Sequence, residues 1–117
     1  MKYRVLLTRN FEKEAKRFIK KFPSLKKELA ELNRQLLISP FIGTPIGKGA
    51  FKVRLSVKSK GRGKSGGMRI ITYIEIDFLI QDLSNVFLLS IYDKSETAAI
   101  DNAELKQLIE SVSRKKL

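Results

Sequence analysis

The chain has 117 residues, enough for one domain with a single modest core. It carries 24 Lys and Arg against 12 Asp and Glu, a net charge of +12, and it has no Cys and no His. Disulfides, thiol catalysis and a Ser–His nucleophile are therefore excluded, and any proton chemistry must fall to Lys, Arg, Tyr, Asp or Glu.

In chain order, residues 3–7 read as a short strand, with Thr8 and Asn10 as candidate N-caps for a helix. Phe11, Ala15, Phe18, Ile19 and Phe22 then recur at helical spacing, opposite a charged face that includes Glu12, Glu14, Lys16 and Arg17. Pro23 interrupts this helix. Ser24 is placed to cap a second one, with Leu25, Leu29, Leu32 and Leu36 on one stripe and an end near Ser39 and Pro40. Residues 41–49 contain Gly43, Pro45, Gly47 and Gly49 and read as a loop.

Residues 51–58 alternate strictly: Phe51, Val53, Leu55 and Val57 share one face, and Lys52, Arg54, Ser56 and Lys58 share the other. A glycine-rich loop follows over 59–67. Residues 68–76 form a β-branched run that reads as a strand, 81–85 read as a turn, and 86–91 as another strand. A last helix over 103–114 turns Leu105, Leu108, Ile109 and Val112 inward. This order predicts a single α+β domain over residues 1–117. An N-terminal helical hairpin packs on a small, mostly antiparallel sheet, and a C-terminal helix completes the domain.

The surplus of positive charge speaks about partners: nucleic acid, an acidic protein or an anionic membrane. No apolar run approaches the length of a spanning helix, and the N-terminus has no signal-peptide pattern. The expectation is a cytoplasmic protein with no membrane partner. The charge is concentrated. Lys48, Lys52, Arg54, Lys58, Lys60, Arg62, Lys64 and Arg69 follow one another with no acid between Glu31 and Glu75. A solvated sheet face with Lys residues that discourage aggregation is the plain explanation. Unpaired like charges across a sheet are destabilising, however, which favours a phosphate-binding surface.

If the strands on either side of the glycine loop pair, Lys52, Arg54, Arg69 and Tyr73 share one patch, with Tyr73 or Tyr92 available to stack on a base. Gly63-Lys64-Ser65 resembles the end of a phosphate-binding P-loop. That motif needs Gly at position 58, where this chain has Lys, and a helix where a strand is expected, so nucleotide hydrolysis is rejected. Glu75 and Asp77 fall far along their strand from Lys52. Asp93, Glu96 and Asp101 read as turn and cap residues. The lack of His and Cys argues against a metal site, although paired carboxylates remain able to hold magnesium.

Several segments together resemble the RelE/HigB superfamily of type II toxin–antitoxin toxins. They are the opening strand followed by FEKEAKRFIKKFPSL from Phe11, FKVRL from Phe51, GKSGGMRIITY from Gly63, VFLLSIYDKSE from Val86, and the C-terminal AELK helix. The GKSGGMR segment is similar to the HigB-like branch. The resemblance implies a RelE-like fold and a ribosome-dependent mRNA endoribonuclease that cuts mRNA in the ribosomal A site. The implied chemistry is attack by the RNA 2′-hydroxyl, with no metal or cofactor. The implied partners are a cognate antitoxin protein, the 70S ribosome and mRNA.

The family's basic strand residues match Lys52 and Arg54, its next-strand arginine matches Arg69, and its basic residue after the last strand matches Lys94, with Tyr92 just before it. Some members carry a Tyr where this chain has Ile100, so the general base stays open among Tyr92, Lys52 and Lys94. Clustered cations favour a tyrosine phenolate and a neutral lysine, which would suit either as proton acceptor. Lys58, Lys60, Arg62, Lys64 and Tyr73 are the expected RNA-binding residues. The competing readings are a ParE-like gyrase-directed toxin and a non-enzymatic ribosome- or RNA-binding domain.

Overall fold

The computed structural model describes residues 2–60, 67–76 and 83–115. The elements are β1 (Lys2–Leu7), α1 (Arg9–Lys21), α2 (Leu25–Ile38), β2 (Thr44–Gly47), β3 (Ala50–Leu55), a 3-10 turn (Lys58–Lys60), β4 (Met68–Ile76), β5 (Leu83–Asp93) and α3 (Asn102–Lys115). The five strands form one sheet in the order β1-β5-β4-β3-β2. β1 runs parallel to β5 and the other pairings are antiparallel. The α+β architecture is the one expected from the order of apolar periodicities.

The sheet is covered on both faces. On one side the hairpin buries Phe11, Ala15, Phe18, Leu25, Leu32 and Leu36 against Val53, Ile70, Val86 and Ile91. These helices form here because their apolar residues recur every three or four positions. On the other side α3 packs Leu105 and Val112 against Ala50, Ile71, Leu89 and Tyr92. Thr8 is the N-cap of α1: its hydroxyl accepts the Phe11 N–H at 3.1 Å. Asp101 caps α3, accepting the Glu104 N–H at 2.7 Å.

Three local expectations need correction. Residues 44–47 are not loop but an edge strand paired with β3. An edge position tolerates Pro45, whose missing N–H faces no partner. The turn that returns the chain to β3 uses positive φ at Gly47, Lys48 and Gly49, so Lys48 belongs to this turn. Secondly, β5 starts at Leu83, inside the stretch read as a turn. Its parallel register with β1 pairs Lys2 with Leu83 and Arg4 with Asn85, and the fully buried Asn85 accepts the Arg4 Nε–H at 3.0 Å. That ladder overrides local turn chemistry. Thirdly, Ser24 precedes α2, but its side chain makes no cap bond. Its hydroxyl instead meets the Ser59 hydroxyl at 2.8 Å and donates to Glu28 at 3.1 Å.

β5 is not regular. Ser90 pairs with Ile71 and Leu88 with Thr72, so Leu89 is an extra residue in the ladder. Such a bulge reverses the alternation of side chains beyond it. Val86 and Leu88 pack with the hairpin, whereas Tyr92, at the same parity, packs with α3.

Gly43 sits at φ +100°, and a Cβ there would lie 2.6 Å from the Lys52 carbonyl oxygen. Glycine is needed at that position for both reasons. It lets the α2–β2 connection run close beside β3, the strand that carries Lys52 and Arg54.

Candidate functional site

The register places Arg54 opposite Arg69 and Arg69 opposite Tyr92. With strands about 4.8 Å apart, the three residues form one row about 10 Å long across β3, β4 and β5. All three sit on the face that α3 partly covers, as the even positions of β3 and the odd positions of β4 require. Lys52 lies two residues from Arg54 on the same face and lines a small cavity of about 70 Å³ with Tyr92, Ile46, Ile100 and Leu105. That volume holds a few waters at most and no nucleotide. The site is therefore a cationic row that is exposed at Arg54 and buried at Arg69 and Tyr92, with a narrow pocket at one end.

Exposure differs along the row. Arg54 is exposed and Lys52 half-buried, whereas Arg69 is only 5% exposed, with its Nη1 3.4 Å from the Met68 carbonyl. Among the described residues no carboxylate forms an ion pair with Arg54 or Arg69. Two guanidinium groups directly opposed across a ladder repel each other, and a buried cation without a counter-ion is costly. The arrangement is one that an anion would stabilise.

Tyr92 is 7% exposed, and its hydroxyl lies beside the backbone N–H of Ile100. Burial pushes its pKa above the usual 10.0, and the nearby Arg69 charge and the Ile100 hydrogen bond only partly oppose this. The expectation that clustered cations would favour the phenolate is corrected here: desolvation outweighs the cations, and the hydroxyl stays protonated at neutral pH. Ile100 contributes its backbone to Tyr92, and its side chain packs in the α3 core.

The remaining predicted residues are dispersed. Lys94 is exposed in the turn after β5, two residues beyond Tyr92. Tyr73 is about 13 Å along β4 from Arg69, half-buried and stacked on Phe87 at 6.3 Å between ring centroids. It belongs to the α3 packing and not to the row. Lys58 is exposed, while its backbone N–H donates to Glu28 Oε2 at 2.9 Å. Lys60 is not presented outward. Its Nζ lies 3.2 Å from Asp93 Oδ1, with the two side chains 12% and 3% exposed. The ion pair uses the charge that sequence reasoning had assigned to RNA. Arg62 and Lys64 lie outside the described residues, as does Asp77. Among the described residues no group of three or more carboxylates is placed to hold a metal ion.

Asp93 was legible only as a turn residue. It also accepts the Ser95 N–H at 2.9 Å and the Ser95 hydroxyl at 2.8 Å, so it organises the turn next to Tyr92. Burial raises its pKa, but the two Ser95 hydrogen bonds and Lys60 outweigh burial and hold it below the ordinary 3.8. A depressed carboxylate pKa stabilises the fold above the ordinary range, and that contribution is lost as pH falls through the lowered value. Unfolding free energy is therefore expected to fall as pH drops below the ordinary carboxylate pKa of 3.8, and Asp93→Asn should reduce this fall. Equal drops in both proteins would show that Asp93 is not the acid-sensitive group.

The topology is one strand, two helices, four strands and a last helix, with the first strand joining the mixed five-stranded sheet beside β5, and it is the RelE-like fold. Among solved structures the chain is similar to the Escherichia coli toxin RelE, determined in the free state as a double arginine-to-alanine variant. The TM-score is 0.52 with 15% sequence identity, and the match covers 100% of both chains. No protein-family model matches the sequence. No described helix is long and apolar enough to cross a membrane.

Proposed function

We propose that this chain is a toxin of a type II toxin–antitoxin system, of the HigB-like branch, and that it cleaves mRNA in the ribosomal A site. The observation that carries the reading is the Arg54–Arg69–Tyr92 row with Lys52 beside it, cations opposed across a ladder with no described carboxylate to neutralise them. In the proposed reaction the RNA 2′-oxygen bonds to the adjacent phosphorus as the bond to the 5′-oxygen breaks. The products are a 2′,3′-cyclic phosphate and a free 5′-hydroxyl. Arg54 and Arg69 hold the phosphate oxygens, where charge grows in the transition state. The protonated Tyr92 hydroxyl donates a hydrogen bond to the same group. Lys52 or Lys94 takes the 2′-hydroxyl proton, and solvent water gives a proton to the leaving 5′-oxygen. Lys58, with Arg62 and Lys64, is assigned to the RNA backbone.

The test is primer extension on mRNA translated in vitro with the purified chain. Cuts at A-site codons that disappear without ribosomes are expected, and the combined Lys52, Arg54, Arg69 and Lys94 to Ala variant should make none. Full activity in that variant would remove these residues from the mechanism. Replication arrest without mRNA cuts would favour the gyrase-directed reading, and ribosome binding without cleavage would favour the non-enzymatic one.

The proposed antitoxin needs a surface. Two apolar grooves, of about 670 and 790 Å³, flank the edge strand β1 and meet at the half-exposed Leu7. Arg4, Arg9 and Lys13 line one, and Lys16, Lys20 and Lys26 line the other, which suits an acidic, amphipathic partner. Co-expression with the product of a neighbouring small reading frame should yield a co-purifying complex. A chain that stays free would count against this partner.

A further inference from the structure

Tyr92 reaches the cationic row only because Leu89 is an extra residue in β5. An alternating strand would turn Tyr92 to the side of Val86 and Leu88, under the hairpin and away from Arg69. A bulge leaves backbone groups outside the ladder, and those groups need partners. Here the partners come from one place, the N-cap and first two turns of α1, and the Leu88 carbonyl also accepts the Thr8 N–H at 3.2 Å where the β1–β5 ladder ends. The Thr8 hydroxyl donates to the Leu88 carbonyl at 2.8 Å. The Asn10 amide donates to the Leu89 carbonyl at 2.9 Å. Glu14 Oε1 accepts the Ser90 hydroxyl at 2.9 Å and the Ile91 N–H at 3.2 Å, and also the Asn10 amide at 2.9 Å.

We propose that Glu14 is a positioning residue. Its Oε1 holds the Ser90 hydroxyl and the Ile91 backbone N–H, fixes the β5 bulge, and so holds Tyr92 on the face that Arg54 and Arg69 share. The role is distinct from cap or core duty. Glu14 lies past the first turn of α1, and its bonds go to a strand about 76 residues away in sequence. Burial raises the Glu14 pKa, the Ser90 and Ile91 bonds oppose this, and Glu104 adds a further upward push. A carboxylate kept in a partly desolvated place by three donors to one oxygen fits a fixed acceptor and not a solvated surface charge. What the clamp requires is an acceptor oxygen, not a charge.

The catalytic half of the test rests on the nuclease reading, so a second readout is independent of it. Glu14→Ala and Glu14→Gln are prepared with 3-fluorotyrosine in place of tyrosine, and the Tyr92 resonance is assigned by its loss in Tyr92→Phe. Glu14→Ala is expected to shift or broaden the Tyr92 fluorine signal. It should also lower the ribosome-saturated cleavage rate about 10- to 100-fold with little change in KM. Glu14→Gln, which keeps Oε1 as an acceptor, should restore both. A folded Glu14→Ala protein with a wild-type Tyr92 signal overturns the clamp. So does a Glu14→Gln protein that behaves like Glu14→Ala, since a charge effect would then be at work. Absence of cleavage by the wild-type chain overturns the nuclease reading alone, and the fluorine spectra still decide the clamp.

Discussion

Replacing Arg54 by Ala is expected to lower the ribosome-saturated cleavage rate about 10²- to 10³-fold while leaving the unfolding midpoint in urea unchanged. Arg54 is exposed on β3 and directly opposite Arg69. Its removal relieves a like-charge pair and leaves no cavity, so stability has no reason to fall. The catalytic loss is large because a guanidinium fork holds two phosphate oxygens at once, and their charge rises on the way to the transition state. Arg54→Lys keeps the charge and loses the fork, so it should fall between wild type and Ala. The check is single-turnover cleavage at saturating ribosome concentration, with urea melts of the same preparations. A wild-type rate in Arg54→Ala would take the row out of the chemistry and leave it a binding surface.

The largest effect on stability is expected at Phe18. It is 1% exposed, its ring stacks on Phe22 at 6.4 Å, and the Arg17 guanidinium lies 4.0 Å from the ring centroid. Phe18→Ala removes this ring from the contact between α1 and the sheet and leaves a cavity that its neighbours fill only in part. The cost is about 3–5 kcal/mol. A domain of this size has a total stability on the order of 5–15 kcal/mol, so the variant should be marginal near 25 °C. Phe41 is the control. It is 59% exposed and its ring meets the Phe51 ring edge-to-face, 5.9 Å between centroids, so Phe41→Ala should cost less than about 1 kcal/mol. Urea unfolding of the three proteins settles the comparison. Similar midpoints for Phe18→Ala and wild type would mean that the hairpin is not what stabilises the sheet.

Much of the fold was legible because its signals are local. Phe11, Ala15 and Phe18 fall on one side of a helix whatever lies opposite, and Phe51, Val53 and Leu55 fall on one side of a strand. That Arg54 and Arg69 share one face was also legible, on the condition that their strands pair, whereas their direct opposition comes from the register. Parity places each pair of side chains on one face of its own strand, and the apolar face of each strand must turn to the same core. The errors fell where a distant segment decided the outcome. Leu83 to Asn85 look like a turn in isolation, yet β1 draws them into a parallel ladder. Lys60 looks like part of an RNA-binding loop, yet the buried Asp93 takes its charge. Thr44 to Gly47 have breaker composition, yet the edge of β3 gives them a partner.

The sequence by itself determined the α+β class, the hairpin, the basic face of β3 and β4, and the absence of any His or Cys chemistry. Each depends on residue type and spacing within a few turns or one hairpin. The tertiary structure alone decided where Tyr92 points and what its hydroxyl can do. Its face depends on an extra residue in β5 whose backbone is satisfied by α1, far away in the chain. Its raised pKa depends on burial beneath the segment that leads into α3, which outweighs the neighbouring cation. Periodicity carries no record of either, because a bulge is one residue long and desolvation is a property of what lies on top.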